Sequence, residues 1–353
     1  MTSIPTPTHK PLGFWRFWLG LAVSAAFLTM AIRQVDWART VDTLVLANLS
    51  LIGLGAGLLV VTFIVFAVRW RVLLSSSARL SVGDTFLYIM IGYLANTVLP
   101  LRLGDVARAV LMGRRHGIGA SLVFGSVILE RVLDVLTMLV LALGLSLVLD
   151  IPPVIRASMM TFAGGALVAF AGLFLLARNE DRLPRLVLRL PAFVPRMLAE
   201  RLVGLVTQFT RGLRTLRSGQ RLGQALLLSG LAWGVAGTGM MVWVKAFHLP
   251  APWYAGLFVL AVINLGGAIP SSPGAIGVYD YLAMLALSVW IMDKSTALGY
   301  AIGTHGVNIL INIVMGAACL AREGIALRSI GDLAAVVPEP THFMAETEPD
   351  RWL

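Results

Sequence analysis

Apolar residues fill long blocks of this chain, separated by short polar interruptions. The blocks run over 14–32, 49–68, 84–99, 103–113, 118–149, 157–177, 223–246, 253–269, 275–292 and 296–321. Most approach the ~20 residues an apolar helix needs to cross a bilayer. The pattern predicts an all-α polytopic membrane protein. The longest interruption, 178–222, carries ten arginines against Glu180, Asp181 and Glu200. Pro184, Pro191 and Pro195 divide its first part. In its second part Leu202, Leu205, Val206, Phe209, Leu213 and Leu216 recur at helical spacing. That spacing fits an amphipathic helix lying on a membrane surface or a basic connector packed on the helix bundle.

Arginine placement predicts sidedness, because positive charge collects on cytoplasmic loops. The 178–222 loop, the segment marked by Arg69, Arg71 and Arg79, and the ends marked by Lys10, Arg16, Arg322 and Arg328 all read as cytoplasmic. The segments 33–48, 150–156, 247–252 and 293–295 carry little net charge and read as external. Threading the blocks between these sides leaves six full spans. The stretches 84–115 and 253–292 must then each return to the side they entered from, so each is a hairpin. The block 103–113 is too short and too charged for a span, which makes the first hairpin re-entrant. The arms of the second are longer, and two full spans would satisfy the same parity.

The hairpin tips resemble one another. The first, "NTVLPLRLGDVAR", reads Asn96-x3-Pro100-x3-Gly104; the second, "NLGGAIPSSPGAIGVYD", reads Asn264-x5-Pro270-x3-Gly274. Each has a span before it and a span after it. This predicts an inverted repeat, unit A over 49–149 and unit B over 223–321, with oppositely oriented broken hairpins. Polar tails over 1–13 and 326–353 flank a membrane domain over 14–325. Breaks at corresponding positions of two inverted halves are where secondary transporters bind substrate. Unwound backbone leaves amides and carbonyls unpaired, so it persists in a membrane only when buried in protein or lining a wet cavity.

Composition agrees. The 353 residues are 58% hydrophobic and 13% charged, with a mean hydropathy of +0.85. The formal net charge is +10, nearly all from arginine. In a membrane chain that balance faces anionic lipid head groups rather than nucleic acid. The single cysteine, Cys319, excludes an intramolecular disulfide. His9, His116, His248, His305 and His342 form no metal-binding pair, and no cofactor motif is present. The first apolar block lacks a small-residue cleavage site and reads as a span rather than a signal peptide.

Charges also occur at membrane depth. In "ILERVLDVL", Glu130 and Asp134 share a helix face, and Arg131 is close enough to pair with Asp134. Glu130 lies about 18 Å along its helix at 1.5 Å per residue, beyond easy snorkelling. Such groups normally face a cavity or a partner. With Arg102, Asp105 and Arg108 they form either the lining of a charged cavity or a structural ion network. In the second half His305, Asn308 and Asn312 form a polar stripe where Glu130 and Asp134 stand in the first. Ser271 belongs to the second tip, and Asp280 follows it.

Three segments, "GYLANTVLPLRLGDVARAVLM", "SVILERVLDVLTMLV" and "AIPSSPGAIGVYDYL", together resemble the transmembrane (flippase) region of lysylphosphatidylglycerol synthases. That region also occurs alone, in UPF0104-like proteins, some associated with hopanoid or polyprenyl-glycolipid pathways. The resemblance covers roughly residues 15–325. It implies movement of a charged or sugar-bearing lipid between leaflets of the cytoplasmic (inner) membrane. The lipids implied are anionic phospholipid, hopanoid or polyprenyl phosphate, and lipid-biosynthesis enzymes are candidate partners. Its characteristic positions match Asn96, Pro100, Arg102, Gly104, Asp105, Arg108, Glu130, Arg131, Asp134, Pro270, Pro273, Gly274 and Gly277, with Asp280 where a glutamate is common. The catalytic domain of the two-domain synthases has no counterpart in the polar residues after 325, so lysyl transfer is not expected. A transporter of a small anion fits the same hairpins. A head-group or glycosyl transferase fits less well, for no D-x-D, H-E-x-x-H or G-x-S-x-G is present. The expectation is therefore a flippase and not an enzyme.

Overall fold

The computed structural model describes residues 14–99, 103–146, 153–178, 203–204, 207–267, 269 and 271–325. Among these it is built of helices and connecting turns, without strands. We label the helices α1 (Phe14–Ile32), α2 (Trp37–Val45), α3 (Leu49–Leu74), α4 (Val82–Val98), α5 (Gly104–His116), α6 (Ala120–Ser146) and α7 (Pro153–Arg178). They continue as α8 (Gly219–Ala246), α9 (Ala255–Gly266), α10 (Val278–Leu287) and α11 (Lys294–Arg322).

Three helices, α3, α8 and α11, are long and apolar enough to cross a membrane. Helix α6 is as long, at 27 residues, but every 18-residue window of it contains Glu130, Arg131 and Asp134. The segment 33–48, read from sequence as a loop, contains α2. Asp36 caps it by accepting from the Ala38 and Arg39 amides, and the pair α1–α2 bends by 90°. Both arms of the second hairpin are short, with 12 residues in α9 and 10 in α10. At 1.5 Å per residue these reach about 18 and 15 Å, well under the ~30 Å of a hydrocarbon core.

The most extensive helix pair is α3 with α8. Around it the packing is matched. Helix α3 packs on α4 as α8 packs on α9, α4 on α5 as α9 on α10, and α5 on α6 as α10 on α11. Helix α11 also lies against α4, as α6 lies against α9. Buried apolar side chains form two clusters, one centred on α3–α6 and one on α8–α11, and Leu59 and Trp233 pack against both. The outer surface carries large exposed apolar residues, among them Leu49, Val140, Val168, Leu227, Leu310 and Met292. Such a surface is stable against lipid tails and not against water.

The described part of the basic loop packs on the bundle. A helical turn over 207–212 leads into a 3-10 turn, Arg214–Arg217, with Leu213 and Leu216 buried in the first core cluster. The Thr215 hydroxyl donates to the Leu73 carbonyl at 2.7 Å. This is the packed-connector form; the surface-helix reading of these residues is set aside, because Leu213 and Leu216 are buried and the segment packs on α3, α6, α7 and α8. Leu202, Leu205 and Val206 lie outside the described residues.

Candidate functional site

Helices α4 and α5 are held together at the first tip by Asn96. Its Oδ1 accepts from the Gly104 amide at 2.9 Å, so a side chain of α4 caps the start of α5. Leu103, the residue before α5, supplies no cap of its own. The approach requires glycine at 104, because a Cβ there would collide with the Gly92 carbonyl oxygen and the Asn96 amide. Pro100 and Arg102 lie outside the described residues, as does Pro270 of the second tip.

Beyond this clasp lies a buried charge network. Arg108 on α5 reaches Asp105 at 3.2 Å and Glu130 on α6 at 3.3 Å. Glu130 also faces Arg69 on α3, at 3.5 Å, and Arg69 meets Asp134 at 2.6 Å. Arg131 grips Asp105 with two bonds of 2.8 and 3.1 Å and stands 3.8 Å from Asp134. Helix α8 completes the shell: Ser229 Oγ accepts from Arg69, and the Trp233 indole N–H donates to Asp134, both at 2.9 Å. The Arg108 guanidinium lies over the Trp70 ring at 4.8 Å and the Arg69 guanidinium over Phe66 at 4.8 Å. Both arrangements suit a desolvated cation.

Three arginines meet three carboxylates, so the network is charge-balanced. Arg69, Arg108 and Glu130 are essentially fully buried. Burying ions is costly unless they are paired and hydrogen-bonded. The network is open at one edge, where the side chain of Arg131 is 34% exposed and that of Asp105 17%.

The sequence placed Arg69 in a loop with Arg71. Instead the span runs on to Leu74, and Arg69 turns inward while Arg71 is exposed. A signal was available: Phe66, Arg69, Trp70 and Leu73 follow the 3–4 spacing of one helix face. Ser229 and Trp233 carried no such signal. Arg131 pairs chiefly with Asp105 rather than with Asp134.

The second tip is a tight turn in which Gly274, Ala275 and Gly277 have φ of 67°, 57° and 85°. A Cβ at Gly277 would also meet the Ser24 carbonyl oxygen of α1 at 2.6 Å. The Ser272 amide donates to Ser24 Oγ at 2.8 Å, and the Ser271 backbone sits against Gly20, so α1 braces this turn. Pro273 begins the 3-10 turn. Asp280 caps α10 by accepting from the Gly277 amide at 2.9 Å. Its other oxygen meets His305 Nδ1 at 3.1 Å, and His305 Nε2 meets the Gly274 carbonyl oxygen at 2.8 Å. Tyr279 stacks on the imidazole with centroids 4.1 Å apart. Asn308 turns to Asn312, whose amide donates to it at 2.9 Å. The predicted stripe thus divides into a His305 site and an asparagine pair.

The two tips meet. The 3-10 turn at Pro273–Ala275 packs against α4, with Gly274 beside the Thr97 carbonyl. The charge network reaches the first hairpin through Asp105 and Arg108 of α5, and His305 of α11 reaches the second through Asp280 and Gly274. No ion pair or hydrogen bond joins the two groups among the described residues. The described residues contain no cluster of three metal-ligating side chains.

Fold and site together define an integral membrane protein, all-helical over its described residues. It has two broken hairpins that touch at their tips and a charge-balanced network buried at one of them. The chain belongs to the lysylphosphatidylglycerol synthase TM region family, whose signature matches residues 17–316. It is similar to "Glycosyltransferase AglD" of Haloferax volcanii, 26% identical over 93% of this chain and 58% of that protein. The chain therefore spans little more than half the length of that relative. It is also similar to "UPF0104 membrane protein MJ1078" of Methanocaldococcus jannaschii, 25% identical over 63% of this chain and 91% of that protein.

Proposed function

We propose that this protein moves lipids with a charged or phosphate-linked sugar head group between the leaflets of the cytoplasmic membrane, with both termini in the cytoplasm. The observation that carries the reading is the meeting of two broken hairpins inside an apolar bundle, beside ionisable groups that a membrane interior disfavours. The matched packing around α3 and α8 supports an inverted repeat, the architecture in which such breaks bind substrate.

The open edge of the network supplies the chemistry. A head-group phosphate would compete with Asp105 for the two donors of Arg131, because guanidinium binds carboxylate and phosphate in the same forked geometry. Arg69 and Arg108 are enclosed and hold Glu130 and Asp134 in place, which keeps the network rigid while Arg131 exchanges partners. Asn96, Gly104, Gly274 and Gly277 shape the tips that the head group would meet. The protein acts in this scheme as a translocase rather than an enzyme, and lipids are its partners.

Native mass spectrometry of the protein, purified in mild detergent, tests the reading. We expect a retained anionic or sugar-phosphate lipid in the wild type and its loss in Arg131→Gln. Retention of zwitterionic lipid only, equal in both proteins, would contradict it. The printed name of the Haloferax relative favours a second reading, transfer of a sugar to a polyprenyl phosphate. Incubation with nucleotide sugars and polyprenyl phosphate would reveal it as a glycosylated lipid product.

A further inference from the structure

The imidazole of His305 is buried between two acceptors. On one side is the Gly274 carbonyl oxygen, 2.8 Å from Nε2. A carbonyl only accepts, so Nε2 carries a hydrogen. On the other side is Asp280 Oδ1, 3.1 Å from Nδ1. The second oxygen of Asp280 already accepts from the Gly277 amide. If the ring were neutral with its hydrogen on Nε2 and Asp280 were ionised, two lone pairs would face each other at 3.1 Å in a buried place. Every contact is satisfied when the pair holds one further proton, on Nδ1 or on Oδ1. We infer that His305 and Asp280 form a proton-binding site, and that one proton held between them latches α11 to the second hairpin tip.

Among the described residues no other titratable side chain is hydrogen-bonded or ion-paired to the pair. Tyr279 of α10 stacks on the ring and directs its hydroxyl to Thr304 at 3.3 Å. Tyr300, just over one turn earlier on α11, directs its hydroxyl to the Met240 sulfur. The described side chains of α1 and the Pro273–Ala275 turn bring no ionisable group. On α4, Asp84 binds Ser81, Tyr88 faces His116 and Tyr93 packs on Phe63, all away from the pair.

Loss of the proton has a structural consequence. With the remaining hydrogen on Nε2, the link to Asp280 is broken and the pair carries one negative charge. With it on Nδ1, the link to Gly274 is broken. Either way one of the two bonds that His305 makes from α11 to the hairpin is lost, and it is this hairpin that touches the first tip at Thr97. The loaded pair is neutral and the empty pair is anionic. An anionic head group near the tips therefore binds best when the proton is present, and the proton binds best when the anion is present, since coupling between two ligands is reciprocal. A singly charged lipid anion moving with one proton is an electroneutral load. This use of the site rests on the flippase reading; the proton site itself rests on geometry alone.

The test uses full-length protein in vesicles containing NBD-labelled phosphatidylglycerol, with an imposed pH gradient and dithionite to read the outer leaflet. One proton per lipid drives about a tenfold leaflet asymmetry per unit of gradient. We expect wild type to build this asymmetry, His305→Gln and Asp280→Asn to lose it, and Asp280→Glu, which retains a carboxylate, to keep it. Melting curves and monodispersity identify a variant that has failed to fold. Wild type that moves the lipid without regard to the gradient, or a folded His305→Gln that still responds, overturns the inference and leaves the flippase reading intact. If wild type moves no lipid, that reading fails and the proton site is judged separately. Ring 15N resonances assigned by their loss in His305→Gln, together with the Asp280 carboxyl infrared band, must then show a proton held in mildly acid buffer and released in alkaline buffer. Neither signal changing would overturn it.

Discussion

Replacing Glu130 by Gln keeps the size of the side chain and removes one negative charge from the centre of the network. Glu130 Oε1 stands 3.3 Å from Arg108 and 3.5 Å from Arg69. At an effective dielectric of about 20, each attraction amounts to about 5 kcal/mol before desolvation is counted. Neutralising Glu130 also relieves the cost of burying its own charge, which offsets part of that sum. What remains is the cost of two buried arginines facing two carboxylates, Asp105 and Asp134, with Arg131 sharing them. Breaking a buried pair from one side typically costs about 3–5 kcal/mol, and that is the loss we predict for Glu130→Gln. The compensated double variant Glu130→Gln, Arg108→Gln restores the balance and should cost less than the two single changes added together. The assay is equilibrium unfolding in mixed micelles, followed by tryptophan fluorescence, which the buried Trp70 reports directly. A Glu130→Gln protein within about 0.5 kcal/mol of wild type, or strict additivity in the double variant, would refute the network as drawn.

Gly104→Ala drives a methyl group onto the Gly92 carbonyl and should destabilise by about 1–3 kcal/mol in the same assay, while Asn96→Ala, which loses only the cap, should cost about 1 kcal/mol. Arg69→Gln should reduce the folded yield sharply and Arg71→Gln should not, as size-exclusion profiles after extraction would show, because only Arg69 turns inward. At the start of α4, hydrogen bonds from the Ser81 hydroxyl and amide hold the Asp84 carboxyl below its usual range. A depressed carboxylate contributes stability above its unfolded value of about 4, and that contribution is lost as pH falls through the folded value. Ser81→Ala should therefore lower the melting temperature at neutral pH, by about 1 kcal/mol of stability, and the difference from wild type should shrink in acid.

Legibility varied with the kind of signal. The hairpin breaks and the charges of α6 could be read directly, because Pro, Gly and ionisable residues interrupt apolar blocks where their cost is high. That Asp105, Arg108, Glu130, Arg131 and Asp134 would gather was a matter of helix faces and one short hairpin. Arg69 was obscured by its position near the end of its span, where an arginine looks the same whether it snorkels or turns inward. Ser229 reaches Arg69 because α8 packs on α3, across 160 positions, and Trp233 reaches Asp134 because α8 also packs on α6, across 99. The pairing of Asp280 with His305 across 25 residues depends on how α10 folds back on α11, and local pattern does not encode it. Of the amphipathic spacing after residue 202, the described positions Phe209, Leu213 and Leu216 are covered by protein rather than by lipid, and the two cases have the same period.

The central claim is that the protein carries anionic lipid between the leaflets, with Arg131 engaging the head group. Its most direct test is the rate and extent of dithionite bleaching of a labelled anionic phospholipid distributed over both leaflets of sealed vesicles. Vesicles containing the wild-type protein are compared with vesicles containing folded Arg131→Gln protein and with empty vesicles. We predict rapid, complete bleaching with wild type, and rates near those of empty vesicles for the variant. Bleaching that stops at half the signal with wild type, as in empty vesicles, across phosphatidylglycerol and polyprenyl phosphate probes alike, would contradict it.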